Sequence, residues 1–137
     1  MYPPVITTPP ADQAVVVNKT DTFVVAAQGT PPLRYQWRFN DASLTGATNP
    51  ILTLPAVQLS NAGPYLVTVS NSFGAVTSAP VSLLVIVPPS FTTQPTGTNV
   101  TVNHSITLSV TVSGATEYQW RKNGANIAGA TNASFTI

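Results

Sequence analysis

The 137-residue chain has no cysteine. That excludes a disulfide framework and a thiolate metal site. Charge is nearly as scarce. Lys and Arg number 5 and Asp and Glu 4, together 7% of the residues, where about a quarter is usual. At a net charge of +1 there is no electrostatic case for nucleic acid or an anionic membrane as partner. The one histidine, His104, cannot assemble a multi-His metal site. No apolar run approaches the length of a membrane span. Met1-Tyr2-Pro3-Pro4 lacks a basic start and an apolar stretch, so it does not read as a signal peptide. An exported protein would carry its signal upstream or have lost it.

What is abundant points to β-structure. Hydrophobic residues make up 43% of the chain, with 13 Pro and many Thr, Val and Ser, a composition that argues against disorder. Low charge with plentiful Thr, Ser and Asn is the expectation for an extracellular or cell-surface protein.

One stretch occurs twice. Tyr35-Gln36-Trp37-Arg38-Phe39-Asn40 returns as Tyr118-Gln119-Trp120-Arg121-Lys122-Asn123, offset by 83 positions. Alternating aromatic and polar residues have the period of a strand with one buried face. Tyr35, Trp37 and Phe39 share one side, Gln36 and Arg38 the other. A large aromatic in mid-strand fills the gap between the sheets of a sandwich. The competing reading, Trp37 and Trp120 stacking on a sugar or nucleobase, is weaker because both sit in the same strand context.

The rest of the first copy reads as seven or eight short strands with turns between them. Val5 to Thr8 is broken by Pro9-Pro10, which belongs at an edge or a strand switch. Ala14 to Val17 resumes. Thr22 to Ala27 alternates, with Phe23 and Val25 on one face. Ile51 to Leu54 ends at Pro55. Gln58 to Gly63 is a corner, with at most a brief helical turn near Val57 to Ala62, leading into Tyr65 to Val69. Asn71-Ser72-Phe73-Gly74 is a hairpin turn. A last strand is interrupted at Pro80 and continues from Val81 to Val87. After the short, stiff Val87-Pro88-Pro89 the chain restarts. Phe91-Thr92-Thr93 matches Ile6-Thr7-Thr8, and Val100, Val102 and Val110 match Val15, Val17 and Val25, all at offset 85. This is an internal repeat of one domain length. The expected division is 1–87 and 88–137.

These residues resemble the immunoglobulin-like superfamily, most of all the intermediate-set modules of bacterial surface proteins. The carriers are Trp37, the Asn61-Ala62-Gly63-Pro64-Tyr65 corner and the Asn71-Ser72-Phe73-Gly74 turn. The resemblance implies an all-β fold of immunoglobulin-like sandwich repeats. It implies that Tyr65 is a corner tyrosine whose hydroxyl bonds back to backbone. Many relatives join two strands by a disulfide; the matching positions here hold Val25 and Val67, with Val110 in the second copy. The expected structural core is Val25, Trp37, Tyr65, Val67, Val110 and Trp120.

Nothing resembles reaction chemistry. Asp12, Asp21, Asp41 and Glu117 are scattered, with no acid–base pair among them. There is no phosphate loop and no nucleophile elbow. A calcium site would need Asp12, Asp21 and Asp41 to converge. An intramolecular isopeptide crosslink would need Lys19 or Lys122 buried beside an acceptor, and both read as turn or strand-end residues. Asn-x-Ser/Thr sequons at Asn18, Asn99, Asn103 and Asn132 matter only in a glycosylating host. No cofactor and no enzyme activity are expected. The leading expectation is a structural, spacer or assembly module of a larger surface protein, with neighbouring modules or copies of itself as partners. An adhesin or carbohydrate-binding module is the alternative, and an ancillary domain of a secreted enzyme ranks below both.

The second copy carries only the strands up to Ser134-Phe135-Thr136-Ile137, which aligns with Ile51-Leu52-Thr53-Leu54. Nothing follows to match Tyr65 to Val69 or Val81 to Val87. Tyr118 and Trp120 are therefore expected to lack cover and to leave an open edge. A piece of a longer repeat protein is the favoured expectation, with completion by strands of another chain as the next.

Overall fold

The computed structural model describes residues 1–137 and divides into two compact units, Met1–Ile86 and Val87–Ile137. Every regular element is a strand except one turn of 3-10 helix, Leu59–Asn61. No helix is long and apolar enough to cross a membrane.

In unit 1, β1 (Val5–Thr8) pairs antiparallel with β4 (Ala26–Gln28). β3 (Asp21–Val24) runs in line with β4 and pairs with β7 (Ile51–Leu54), placing Phe23 opposite Leu52. These strands make one layer. The other layer has the order β2-β10-β8-β5-β6: β2 (Gln13–Val16), β10 (Val81–Ile86), β8 (Gly63–Asn71), β5 (Arg34–Phe39) and β6 (Ala42–Ser43). Pro9-Pro10 explains why the first strand changes layer. Proline cannot donate to a ladder, so β1 ends there. The chain then crosses to pair β2 parallel with β10, Gln13 opposite Leu83 through Val16 opposite Ile86.

The interruption at Pro80 has a similar cause. β9 (Gly74–Thr77) and β10 both pair with β8. Between them the buried Ser78 repairs the ladder, its N–H donating to Val67 O (2.9 Å) and its hydroxyl accepting from Val67 N–H (3.1 Å). The β5–β6 hairpin turns on Asn40 and Asp41, both at positive φ (46° and 63°), as a two-residue turn that follows strand twist requires.

The core lies between the layers. Phe23, Trp37, Val57, Tyr65, Val67 and Val69 are fully enclosed. Ring centroids of Phe23 stand 5.0 Å from Tyr65 and 6.0 Å from Trp37. The alternation that singled out one face of the Trp37 strand is realised with Trp37 buried and Tyr35 and Phe39 half-buried.

Unit 2 repeats part of this plan. β11 (Ser90–Thr93) pairs with β13 (Thr111–Ser113), β12 (Thr107–Ser109) with β16 (Ser134–Thr136), and β14 (Arg121–Lys122) with β15 (Ala125–Asn126). Two expected strands are not formed. Tyr118 to Trp120 lies outside any strand, and so does the stretch holding Val100 and Val102. In unit 1 the equivalent strands draw their ladder bonds from β8 and β10; unit 2 has no strand in either place.

Truncating Trp37 to alanine should cost about 3–5 kcal/mol, the range for a large core aromatic. That is a large fraction of the roughly 5–15 kcal/mol available to a domain. A thermal melt of Trp37→Ala should show unit 1 unfolding well below the midpoint of the parent. A midpoint within a few degrees of the parent would contradict the core role given to this side chain.

Candidate functional site

The feature worked out in most detail is a hydrogen-bonded cage around a tryptophan, built once in each unit. In unit 1 the Trp37 indole N–H donates to Asn49 O at 2.9 Å. Trp37 N–H donates to Ala47 O (3.0 Å), and Leu44 N–H donates to Trp37 O (2.9 Å). Gln36 folds its amide alongside and donates to Trp37 O and Leu44 O, both at 2.8 Å. In unit 2 the Trp120 indole donates to Asn132 O at 2.8 Å. Trp120 N–H donates to Ala130 O and Ile127 N–H to Trp120 O, both at 3.0 Å. Gln119 donates to Trp120 O (2.8 Å) and Ile127 O (2.9 Å). The two cages agree bond for bond.

The cages differ in what surrounds them. Trp37 is fully buried, while Trp120, Tyr118, Val110 and Val112 are only half-buried. Beside Trp120 lies a cavity of about 450 Å³ lined by Phe91, Val110, Val112, Tyr118, Trp120 and neighbouring residues. Val25 and Val67 lie in the buried cluster of unit 1 with Trp37 and Tyr65.

Tyr65 is 1% exposed and its hydroxyl donates to Asn61 O at 2.9 Å. Burial pushes its pKa above the ordinary 10.0, the Asn61 bond offsets part of the rise, and the nearby Asp21 charge adds to it. A buried phenol resists ionising because the phenolate loses its hydration.

The polar residues weighed for chemistry serve the framework or stand apart. Asp12 accepts from Ser82 N–H at 2.7 Å, and Asp41 sits in the hairpin turn at positive φ. Asp21 Oδ2 is buried without a hydrogen-bond partner. No three His, Asp or Glu side chains gather where they could hold a metal. Lys19 and Lys122 are exposed, so the buried lysine that an isopeptide crosslink needs is absent at both. His104 is exposed in a turn, its Nδ1 within 3.0 Å of Thr101 Oγ1. The four sequon asparagines are exposed, and Asn18 accepts from Gln58 Nε2 at 2.7 Å.

One structural side chain, Asn71, carried little signal in the sequence. Asn71 donates to both Tyr2 O (3.0 Å) and Thr30 O (2.9 Å), tying the chain start to the β8–β9 hairpin. Its oxygen accepts from Phe73 N–H at 2.9 Å. A turn asparagine advertises that last bond, but not the two long-range ones.

The family model described as immunoglobulin domain matches residues 3–71. Human hemicentin-1 is 31% identical over 131 residues, covering 89% of this chain and 2% of its own length. The chain thus spans a small fraction of the curated relative it matches. Among solved structures, the Sidekick-1 immunoglobulin domains 1-4 align with a TM-score of 0.76 at 20% identity, over 99% of this chain and 41% of that one. The titin I-band fragment I67-I69 aligns at 0.71 and 19% identity, over 100% and 56%. These two likenesses show the fold alone. The comparisons support the immunoglobulin-like part of the resemblance read from the sequence. They do not support a bacterial origin or the intermediate set, since the curated relatives are animal proteins.

Ionisation of Tyr65 is harder in the folded chain than in the unfolded one. Its contribution to stability is full below the unfolded pKa of 10.0 and is lost as pH rises through the higher folded value. Tyr65→Phe should cost about 0.5–1.5 kcal/mol at neutral pH through the lost hydrogen bond, and should lose less stability than the parent above pH 10. Parallel alkaline profiles for the two proteins would contradict this. Independently, cysteines at Val25 and Val67 should oxidise to a crosslink in the folded protein. Retention of two free thiols under oxidising conditions, with the fold intact, would reject the pairing that the resemblance implies.

Proposed function

Because the chain belongs to the immunoglobulin domain family, we propose that it serves as a non-catalytic repeat, a structural, spacer or assembly module of a larger extracellular or cell-surface protein. The observation that carries this reading is the repetition of one complete framework, the tryptophan cage, at Trp37 and again at Trp120. Selection for a binding loop or a reactive group would repeat the loop or the group. Here what repeats is the part that holds strands together. Of the acids, Asp12 is engaged by backbone and Asp41 shapes a turn. The parallel β2–β10 pair suits a load-bearing role: it joins strands near the entry and the exit of unit 1. Tension between the chain ends loads those bonds along the strands, so several must break together.

Partners on this reading are neighbouring modules or further copies of the chain. The adhesin reading is the outcome to test against. Exposed aromatics such as Phe73 and the hollow of about 390 Å³ lined by Pro32, Arg34, Ser70, Asn71 and Ser72 are where a ligand would be sought. Two measurements decide between them. In single-molecule pulling, Val17→Pro removes the bond from Val17 N–H to Ile86 O (2.9 Å) and should lower the unfolding force of unit 1 with little change in the folded spectrum. On a glycan array the chain should show no reproducible binding. Micromolar binding abolished by Phe73→Ala, or an unfolding force indifferent to Val17→Pro, would overturn the spacer reading.

A further inference from the structure

One motif outside the cage also recurs, and the fold accounts for only half of it. Asn18-Lys19-Thr20 and Asn103-His104-Ser105 stand 85 positions apart, the offset that relates the strands on either side. The turn that carries them is built the same way twice. Asn18 and Asn103 both hold φ at 67°. Lys19 N–H donates to Val16 O at 3.1 Å, and His104 N–H to Thr101 O at 3.2 Å. A left-handed position accounts for the asparagine, which visits that region more readily than most residues. It does not account for a hydroxyl two residues later.

Thr20 and Ser105 are both exposed. The bonds of the first turn run through main chain, Asn18 and Gln58. Those of the second run through Thr101, Val102 and His104. Neither hydroxyl takes part. Within the triplet the middle residue differs, Lys19 against His104, and so does the residue after it, Asp21 against Ile106. The asparagine and the hydroxyl keep their type. That is the selectivity of the N-glycosylation signal, which requires Asn and a Ser or Thr two residues on and accepts any middle residue but proline. The other two sequons do not recur. Asn99 matches Ala14, and Asn132 matches Asn49, where the following Pro50 destroys the signal. The hydroxyl of the Asn99 sequon is moreover engaged, Thr101 Oγ1 lying 3.0 Å from His104 Nδ1.

The geometry at Asn18 suits a large substituent. Asn18 is exposed and follows β2, the outermost strand of its layer. Its Oδ1 accepts from Gln58 Nε2 at 2.7 Å, which leaves Nδ2 as the free end of the amide. A substituent on Nδ2 retains the carbonyl, so the bond from Gln58 survives the modification.

We propose that Asn18 and Asn103 are attachment sites for N-linked glycans, one per module at the same turn. Nδ2 forms a bond to the anomeric carbon of a lipid-linked oligosaccharide. The bond from that carbon to the pyrophosphate oxygen breaks, the lipid pyrophosphate leaves with the electron pair, and Nδ2 gives up one proton. Donor and transferase are those of a glycosylating cell, so the proposal rests on the extracellular or cell-surface reading above. In unit 1 the glycan stands beside the open edge of β2, where a bulky hydrated group hinders pairing with a strand of another chain.

The test is secretion of the full chain, behind a removable leader, from cultured animal cells, the curated relatives being animal proteins. Peptide mapping after treatment with a peptide N-glycosidase reads occupancy site by site, because release converts each modified Asn to Asp. The expected result is glycan on Asn18 and on Asn103 in most molecules. Thr20→Ala and Ser105→Ala should each remove the glycan at its own site and leave the other, while Thr20→Ser should keep it. These variants leave the asparagines and the bonds of the turn in place, so a folding defect cannot imitate the loss. A secreted, folded chain with Asn18 and Asn103 unmodified would overturn the proposal. Glycan retained in Thr20→Ala and Ser105→Ala would overturn it too. The spacer reading is judged separately, by the unfolding force of the unmodified chain, so either can fail while the other stands.

Discussion

An indole set between two sheets can be satisfied only if strands lie on both sides of it, and most of the structure follows from that requirement. The Trp37 ring must lose its water, so every direction around it needs apolar cover. Its N–H must still find an acceptor, because an unpaired buried donor costs about 1–3 kcal/mol. Asn49 O supplies the acceptor at 2.9 Å. Phe23 covers the ring from the opposite layer, and Val67 faces Trp37 along the ladder. The cage in unit 2 meets the polar half of the requirement with only part of the apolar half, Trp120 being half-buried beside Phe135. Trp120 has its acceptor at 2.8 Å, yet Tyr118 to Trp120 is not drawn into a strand. Local hydrogen bonding therefore holds the indole in place, and neighbouring strands turn the same local geometry into a sheet.

The parts of the fold legible in the sequence were those written in local, periodic signals. Val5–Thr8 and Ile51–Leu54 coincide with the strands read from their β-branched runs. Pro9-Pro10 marked the change of layer, and Pro80 the break in the last strand. The Asn61-to-Tyr65 corner was recognisable by resemblance, and the hydroxyl bond to Asn61 O follows. What was not legible depends on long-range pairing. Nothing near Val25 announces that β3 and β4 part there, because the break reflects Val25 N–H turning to Pro50 O. Nothing in Ser78 announces that it bridges a ladder gap to Val67. The strands expected at Val100–Val102 and Tyr118–Trp120 did not form for the same reason: alternation encodes a face to bury, but a ladder needs a partner.

The candidate site was legible in a narrower sense. Repetition at offset 83 located the cage, and the aromatic content predicted burial. The role of Gln36 was hidden. On the strand pattern it faces away from the core, yet its amide bridges Trp37 O and Leu44 O. The repeat itself carried the missing signal, since Gln119 accompanies Trp120 as Gln36 accompanies Trp37. A polar residue retained beside a retained aromatic, at a position where any polar residue would satisfy solvent, is evidence for a specific bond.

Comparing the two copies also separates what the cage needs from what the sandwich needs. The Phe23–Leu52 pair and the Leu108–Phe135 pair place the same two residue types at one cross-strand position in opposite order. The site therefore constrains total volume more than which strand supplies the ring, as expected where a core tolerates rearrangement at constant bulk. Indole, glutamine amide and the carbonyls they bond allow no such exchange, because hydrogen bonds fix direction as well as volume. The directional set is thus reproduced position for position in both units, while the apolar set is reproduced only in sum. In unit 1 the apolar set includes the side chains that β8 contributes, Tyr65, Val67 and Val69.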